Sequence, residues 1–151
     1  MGKVCAFFGH RELYNDITPQ LEEAISTAVK HGYDVFWGGG NGAFDRCAAG
    51  TVYRLKKKYP HIKIVLIQAY LPKQPISEIY DQAIFPEGVE IGPPRFAINR
   101  RNQWIIRNCE GAICYVNHSY GGAYAAYRKL LRNKKVLVNL GMLTLSLPGK
   151  Q

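Results

Sequence analysis

Three segments of this sequence combine glycine with side chains able to hold an anion: Gly9-His10-Arg11-Glu12, the run from Gly38 through Asp45, and Asn117 through Tyr124. A glycine run lets backbone N–H groups approach a ligand closely, and a helix opening on it presents unpaired N–H groups and the positive end of its dipole. A phosphate is the natural guest. One dipole interaction contributes only about 0.3–1 kcal/mol, so ribose or base contacts, or a bidentate arginine, must add to it. Arg11, Arg100 and Arg101 are available. His10 suits a base or a phosphate donor, but with four histidines and no adjacent nucleophile the reading is binding rather than chemistry. Glu12 and Asp45 are the nearest acids, fit for ribose hydroxyls or for a magnesium ion accompanying a nucleotide, although no cofactor is firmly implied. Asp45 also falls in the first turn of a helix, where a carboxylate simply stabilises the dipole. Tyr120 and Tyr124 can stack on a base or bond a phosphate, or merely pack.

These residues need elements to bring them together. Val4–Phe8 is an apolar run, and Ile17–His31 places Leu21, Ala24, Ile25, Ala28 and Val29 at helical spacing, with Asp16 and Thr18 as caps and Gly32 as the stop. Tyr33–Trp37 reads as strand, and Gly38-Gly39-Gly40-Asn41-Gly42 then opens a helix over Ala43–Tyr59, closed by Pro60. Ile62–Ile67 is an apolar strand of the buried parallel kind. Ala69–Pro94 holds five of the eight prolines and reads as a flap, with a short helix around Ser77–Gln82 and a brief strand near Ala83–Phe85. Phe96–Cys109 reads as helix, Gly111–Val116 as strand, Gly121–Leu131 as helix and Val136–Asn139 as the last strand. The alternation predicts a single α/β domain over residues 1–151, Rossmann-like and three-layered, with a mostly parallel sheet and helices on both faces. Such sheets bind ligands beyond their strand C-terminal ends, where the strand order reverses.

Composition sets the outer bounds. The 151 residues are 47% hydrophobic and 21% charged, ordinary for one globular domain. No apolar run reaches the roughly 20 residues needed to cross a bilayer, and the N-terminus reads as neither a signal peptide nor a myristoylation site, so the expectation is a cytoplasmic protein with no membrane partner. Cys5, Cys47, Cys109 and Cys114 form no Cys-x-x-Cys pair and read as buried thiols rather than a disulfide framework or metal site. The formal charge of +9 favours anionic partners, yet Lys56-Lys57-Lys58 and Arg128–Lys135 have the look of solvated helix ends. Neither glycine run matches the P-loop or the spaced dinucleotide fingerprint.

Val4-Cys5-Ala6-Phe7-Phe8-Gly9-His10-Arg11, Trp37 through Asp45 with Ala48-Ala49, Arg101-Asn102 and Gly121-Gly122 together resemble the SLOG superfamily, which takes in the LOG phosphoribohydrolases and the Smf/DprA DNA-processing proteins. The Gly-His-Arg start, Asp45 and the Arg-Asn pair look most like its small YpsA-like branch. The similarity runs from Val4 to Leu140, with the motifs in the expected order. It implies that Gly38–Gly42 and Gly121-Gly122 cradle a phosphate and that Arg101, with Asn102 beside it, stands near the ribose. LOG enzymes carry a glutamate after their second glycine motif, where this chain has Arg128. An arginine cannot polarise water or steady an oxocarbenium ion.

Three functions follow. The first is a nucleotide-binding or sensing module, favoured by the missing glutamate. The second is a nucleotide-processing hydrolase in which Glu12 or Asp45 supplies the acid. The third is single-stranded nucleic acid binding through Arg11, Arg95, Arg100, Tyr120 and Tyr124, ranked last because no element carries an interleaved basic and aromatic stripe. Trp104 reads as core or dimer contact, and a homodimer is compatible with the fold by analogy.

Overall fold

The period-two pattern of the first strand settles how the layers form. In the computed structural model, which describes residues 2–141, strand β1 (Lys3–Gly9) sends Cys5 and Phe7 to one side and Ala6 and Phe8 to the other, and all four are buried. A strand apolar on both faces needs helices on both faces. Helices α1 (Thr18–Lys30) and α2 (Gly42–Leu55) cover the first, packing Leu21, Ile25, Phe44 and Val52 against Phe7, Phe36 and Ile64. Helices α3 (Ala97–Asn108) and α4 (Gly122–Arg132) cover the second, packing Ile105, Ile106 and Leu130 against Phe8, Val65 and Ile67.

The remaining strands are β2 (Tyr33–Gly38), β3 (Lys63–Ile67), β4 (Gln82–Ile84), β5 (Gly111–Tyr115) and β6 (Val136–Asn139). They form one six-stranded sheet in the order β4-β3-β2-β1-β5-β6, with every pairing parallel. The chain winds outward from β1 through β2 and β3 to β4, then returns to lay β5 on the other side of β1. The strand order therefore reverses between β1 and β5, where the edge of such a sheet leaves a crevice.

The expected α/β architecture is what the structure shows, with local corrections. Ser77–Gln82 is not helical: Tyr80 N–H closes a turn onto Ser77 O at 3.3 Å, and Gln82 starts the edge strand. Tertiary pairing overrides the local pattern there, because Asp81 is held by Ile64 N–H to its carboxylate at 2.9 Å, by its own N–H to Ile64 O at 2.9 Å, and by an ion pair with Lys56. The edge strand is Gln82–Ile84 rather than Ala83–Phe85. Helix α2 stops at Leu55, short of Tyr59, and tightens through bonds such as Lys58 N–H to Leu55 O at 3.0 Å, because Pro60 disfavours helical geometry in the residue before it. Helix α3 begins at Ala97 after a 3-10 turn over Pro94–Phe96. The flap is anchored on a small cluster of Ala69, Val89 and Ala97. Arg100 fastens it further, donating from Nε to Val89 O at 2.7 Å, so this arginine serves the flap rather than the crevice.

Cys5, Cys109 and Cys114 are buried free thiols and Cys47 is half-buried. Burial raises the Cys5 and Cys114 thiols and pushes Cys109 up to about 11, so all three stay protonated. Among the described residues no helix is long and apolar enough to cross a membrane.

Candidate functional site

The loops after β1, β2 and β5 meet at the switch point because hydrogen bonds tie them together. Arg11 O accepts Ala43 N–H at 2.7 Å, joining the first loop to the start of α2. Gly42 makes this approach feasible: its φ is +92°, and a Cβ there would lie 2.7 Å from Arg11 Cα. On the other side, His10 Nε2 accepts Asn117 N–H at 3.0 Å, joining the first loop to the third. An accepting Nε2 carries no proton, so this bond assigns the ring as the neutral Nδ1–H tautomer. Burial, then the neighbouring His118, holds the His10 pKa below its ordinary value, which agrees with that assignment.

Between these loops lies a cavity of about 660 Å³, within the range of small-ligand sites. Of the residues expected from sequence, Gly9, His10, Arg11, Gly39, Asn41 and Asp45 line it, with Arg101 and Asn102 from α3 and Gly121 and Gly122 from α4. Four others support it from behind or stand apart. Gly38 ends β2, and Gly40 (φ +74°) packs against Leu66. Gly42 packs against Arg11, while Tyr124 sits half-buried in the α3–α4 layer with the Arg128 guanidinium 5.9 Å from its ring centre.

Arg101 is the most buried charge of the site, only 4% exposed. Its Nη1 donates to Gly39 O at 3.1 Å and to Ile67 O at 3.2 Å, and its Nε donates to Asn102 Oδ1 at 3.0 Å. Among the described residues its Nη2 has no hydrogen-bond partner. The arginine thus clamps the glycine loop to the end of β3 and keeps the two N–H donors of Nη2 over. Gly39 permits the clamp: a Cβ there would fall 2.6 Å from Nη1.

Asp45 faces the same region. Its Oδ2 accepts Asn41 N–H at 3.2 Å, whereas Oδ1 is shut off from solvent without a partner among the described residues. Burial pushes its pKa up to about 6, against the opposing pull of the Arg101 charge and of the Asn41 and Gly39 N–H groups. A buried carboxylate oxygen left unpaired is costly when charged, which is the cause of the raised pKa.

The two helix starts differ. At α2, Ala43 N–H is taken by Arg11 O and Asn41 N–H by Asp45, so that end has two of its N–H groups used internally and already carries an acid. At α4, the Gly121 position has no side-chain cap and no acid in the first turn, and a Cβ on Gly121 or Gly122 would meet nothing within 4 Å. The N–H groups at the start of α4 are therefore left open toward this cavity, an arrangement that suits an anion.

Sequence reasoning missed His118. It stacks on His10 (centroids 3.6 Å apart, 12° between planes) and on Tyr120 (3.9 Å, 23°), forming a ladder of rings along one wall. Its Nδ1 is buried without a partner among the described residues. The available signal was position: Asn117-His118 follows β5 directly, on the edge where the site had to be. Trp104, by contrast, stacks on Trp37 at 4.9 Å as a core residue. Among the described residues no group of three or more His, Cys, Asp or Glu side chains is placed to hold a metal ion.

No family model matches this sequence. None of the curated proteins matches it either. Solved structures do. DNA processing protein A (DprA) of Helicobacter pylori superposes with a TM-score of 0.61 at 13% identity, over 91% of this chain and 65% of that one. DprA of Streptococcus pneumoniae gives 0.60 at 18% identity, over 91% of this chain and 50% of that one. The Moco carrier protein of Chlamydomonas reinhardtii gives 0.55 at 14%, over 93% and 77%. The chain thus spans one half to two thirds of the length of the DprA proteins it matches. DprA is among the proteins that the sequence resemblance names, and at these identities the likeness establishes a shared fold: this chain has the Rossmann-like α/β fold of DprA and the Moco carrier protein.

Proposed function

We propose that this protein binds a nucleotide or a nucleotide-derived phosphate in the crevice between β1 and β5, as a sensor or carrier module of the YpsA-like branch. The observation that carries the reading is the polarity of one cavity: the uncapped start of α4 on one side, and the buried Arg101 with the half-buried Asp45 on the other. The phosphate lies on the N–H groups at Gly122, and Arg101 Nη2, with Asp45 beside it, faces the sugar. The Arg101 guanidinium beside Asp45 disfavours a cation there, so a magnesium ion, if one accompanies the ligand, belongs with the phosphate. Arg128 packs over Tyr124 and leaves no carboxylate where LOG enzymes place theirs, which keeps binding ahead of hydrolysis.

Single-stranded nucleic acid is the second reading, prompted by the likeness to DprA, whose Helicobacter pylori form binds single-stranded DNA. Thermal denaturation with nucleoside monophosphates, diphosphates, cyclic nucleotides and short oligonucleotides tests both. A ligand at about 100 times its dissociation constant adds roughly 2.7 kcal/mol of stability. A shift with one small nucleotide class, absent in Arg101→Ala, supports the first reading, and chromatography of that mixture tests for turnover. A shift with oligonucleotides alone replaces it with the second.

A further inference from the structure

Two tyrosines stand at the mouth of the cavity on different loops, and both are far more exposed than an aromatic ring ordinarily is: Tyr14 at 80% and Tyr120 at 70%. Neither is placed loosely. One face of Tyr120 lies on His118, which lies in turn on His10, so the ring is held by a stack whose inner end is buried. Tyr14 Oη donates to Glu12 Oε1 at 2.9 Å, which fixes the ring relative to the first loop. An exposed ring held in place by its neighbours is preorganised to receive another flat group. The wall behind it keeps a buried polar atom, His118 Nδ1, without a partner among the described residues. Beside Tyr14 stands the Glu12 carboxylate, an acceptor for amino groups on a ring edge.

We infer that the open face of Tyr120, with Tyr14 and Glu12 across the cavity mouth, is a stacking site for the nucleobase of the ligand, separate from the phosphate end at α4. The inference rests on the proposed binding of a phosphate ligand and adds which part of that ligand gives selectivity. Purines, with the larger ring face, bind more tightly than pyrimidines.

The test is calorimetric titration of adenosine, guanosine, cytidine and uridine monophosphates and of ribose 5-phosphate into the natural protein, Tyr120→Ala and Tyr120→Phe. Tyr120 is a surface side chain, so both variants fold. The expected result is that Tyr120→Ala weakens the purine nucleotides by roughly 5- to 150-fold, the range measured for loss of one base-aromatic stack, while Tyr120→Phe keeps their affinity and ribose 5-phosphate is indifferent to either change. Equal loss for ribose 5-phosphate, or no loss for the purines, overturns the stacking site. If ribose 5-phosphate binds as tightly as the nucleotides, the stacking site falls while phosphate binding stands. If none of the five compounds binds the natural protein, both fall together.

Discussion

At the residue scale, the site is governed by polar groups held where water does not reach them. Arg101 answers two backbone carbonyls, Gly39 O and Ile67 O, so removing its side chain strands both. Arg101→Ala is expected to destabilise the protein by about 2–4 kcal/mol in urea denaturation and to abolish ligand-induced stabilisation. Asp45 acts in the opposite sense. Its folded pKa of about 6 lies above the ordinary 3.8, so its contribution to stability is fully present below 3.8 and is lost as pH rises through 6. Asp45→Asn should therefore raise the stability of the ligand-free protein at pH 7–8 by up to about 3 kcal/mol, with the gain vanishing near pH 4. A gain independent of pH would show that Asp45 is not buried as a charge. His10 has a folded pKa below its ordinary 6.5, so the stability it contributes is present above that value and is lost as pH falls below it. Nuclear magnetic resonance titration of its ring should show the neutral Nδ1–H form persisting below pH 6.5.

At the element scale, the helix starts are distinguished by what their glycines do. Gly121 has φ +92° and ψ 174°, a region open essentially to glycine alone, and Gly122 is the first residue of α4. Neither would meet a neighbour on gaining a Cβ. Gly121→Ala should still cost about 1–3 kcal/mol in thermal denaturation through backbone strain, whereas Gly122→Ala should be neutral or slightly stabilising for folding. Equal effects would mean that the α4 start is not held in this geometry. Gly9 differs again, because a Cβ there would lie 2.3 Å from the Phe44 ring, so the first loop sits directly on α2 through its lack of a side chain.

At the scale of the whole molecule, the +9 charge is distributed unevenly with respect to the cavity. Lys30, Arg54, Arg107, Lys129 and Arg132 all occupy last turns of helices. Helices of a parallel α/β sheet run against the strands, so these cations gather at the end opposite the crevice, where they complement the helix dipoles. Lys135 does so directly, donating to Ile106 O at 2.7 Å. Replacing Lys56, Lys57 and Lys58 with glutamine is therefore expected to leave nucleotide affinity unchanged, read by titration at about 50 and 200 mM salt. Any oligonucleotide binding would weaken and lose salt dependence only if those lysines contact it.

The sequence by itself determined the alternation of strands and helices, because doubly apolar strands and period-3.6 helices leave their pattern in the residues, and it marked the glycine turns and Arg101 as parts of one site. It could not separate the roles of the two helix starts: both read as glycine-opened, and it is the long-range bond from Ala43 N–H to Arg11 O, beside the local one from Asn41 N–H to Asp45, that occupies one of them. It missed the edge strand's boundary and the absence of a helix at Ser77–Gln82, since pairing with Ile64 outweighs weak local propensity. The ring ladder of His10, His118 and Tyr120 joins residues more than a hundred positions apart in part, and depends on β5 lying beside β1. Chain order carries no record of that adjacency; it arises when the sheet reverses its winding, because the second hydrogen-bonding edge of β1, left unpaired by β2, needs a strand beside it and takes β5.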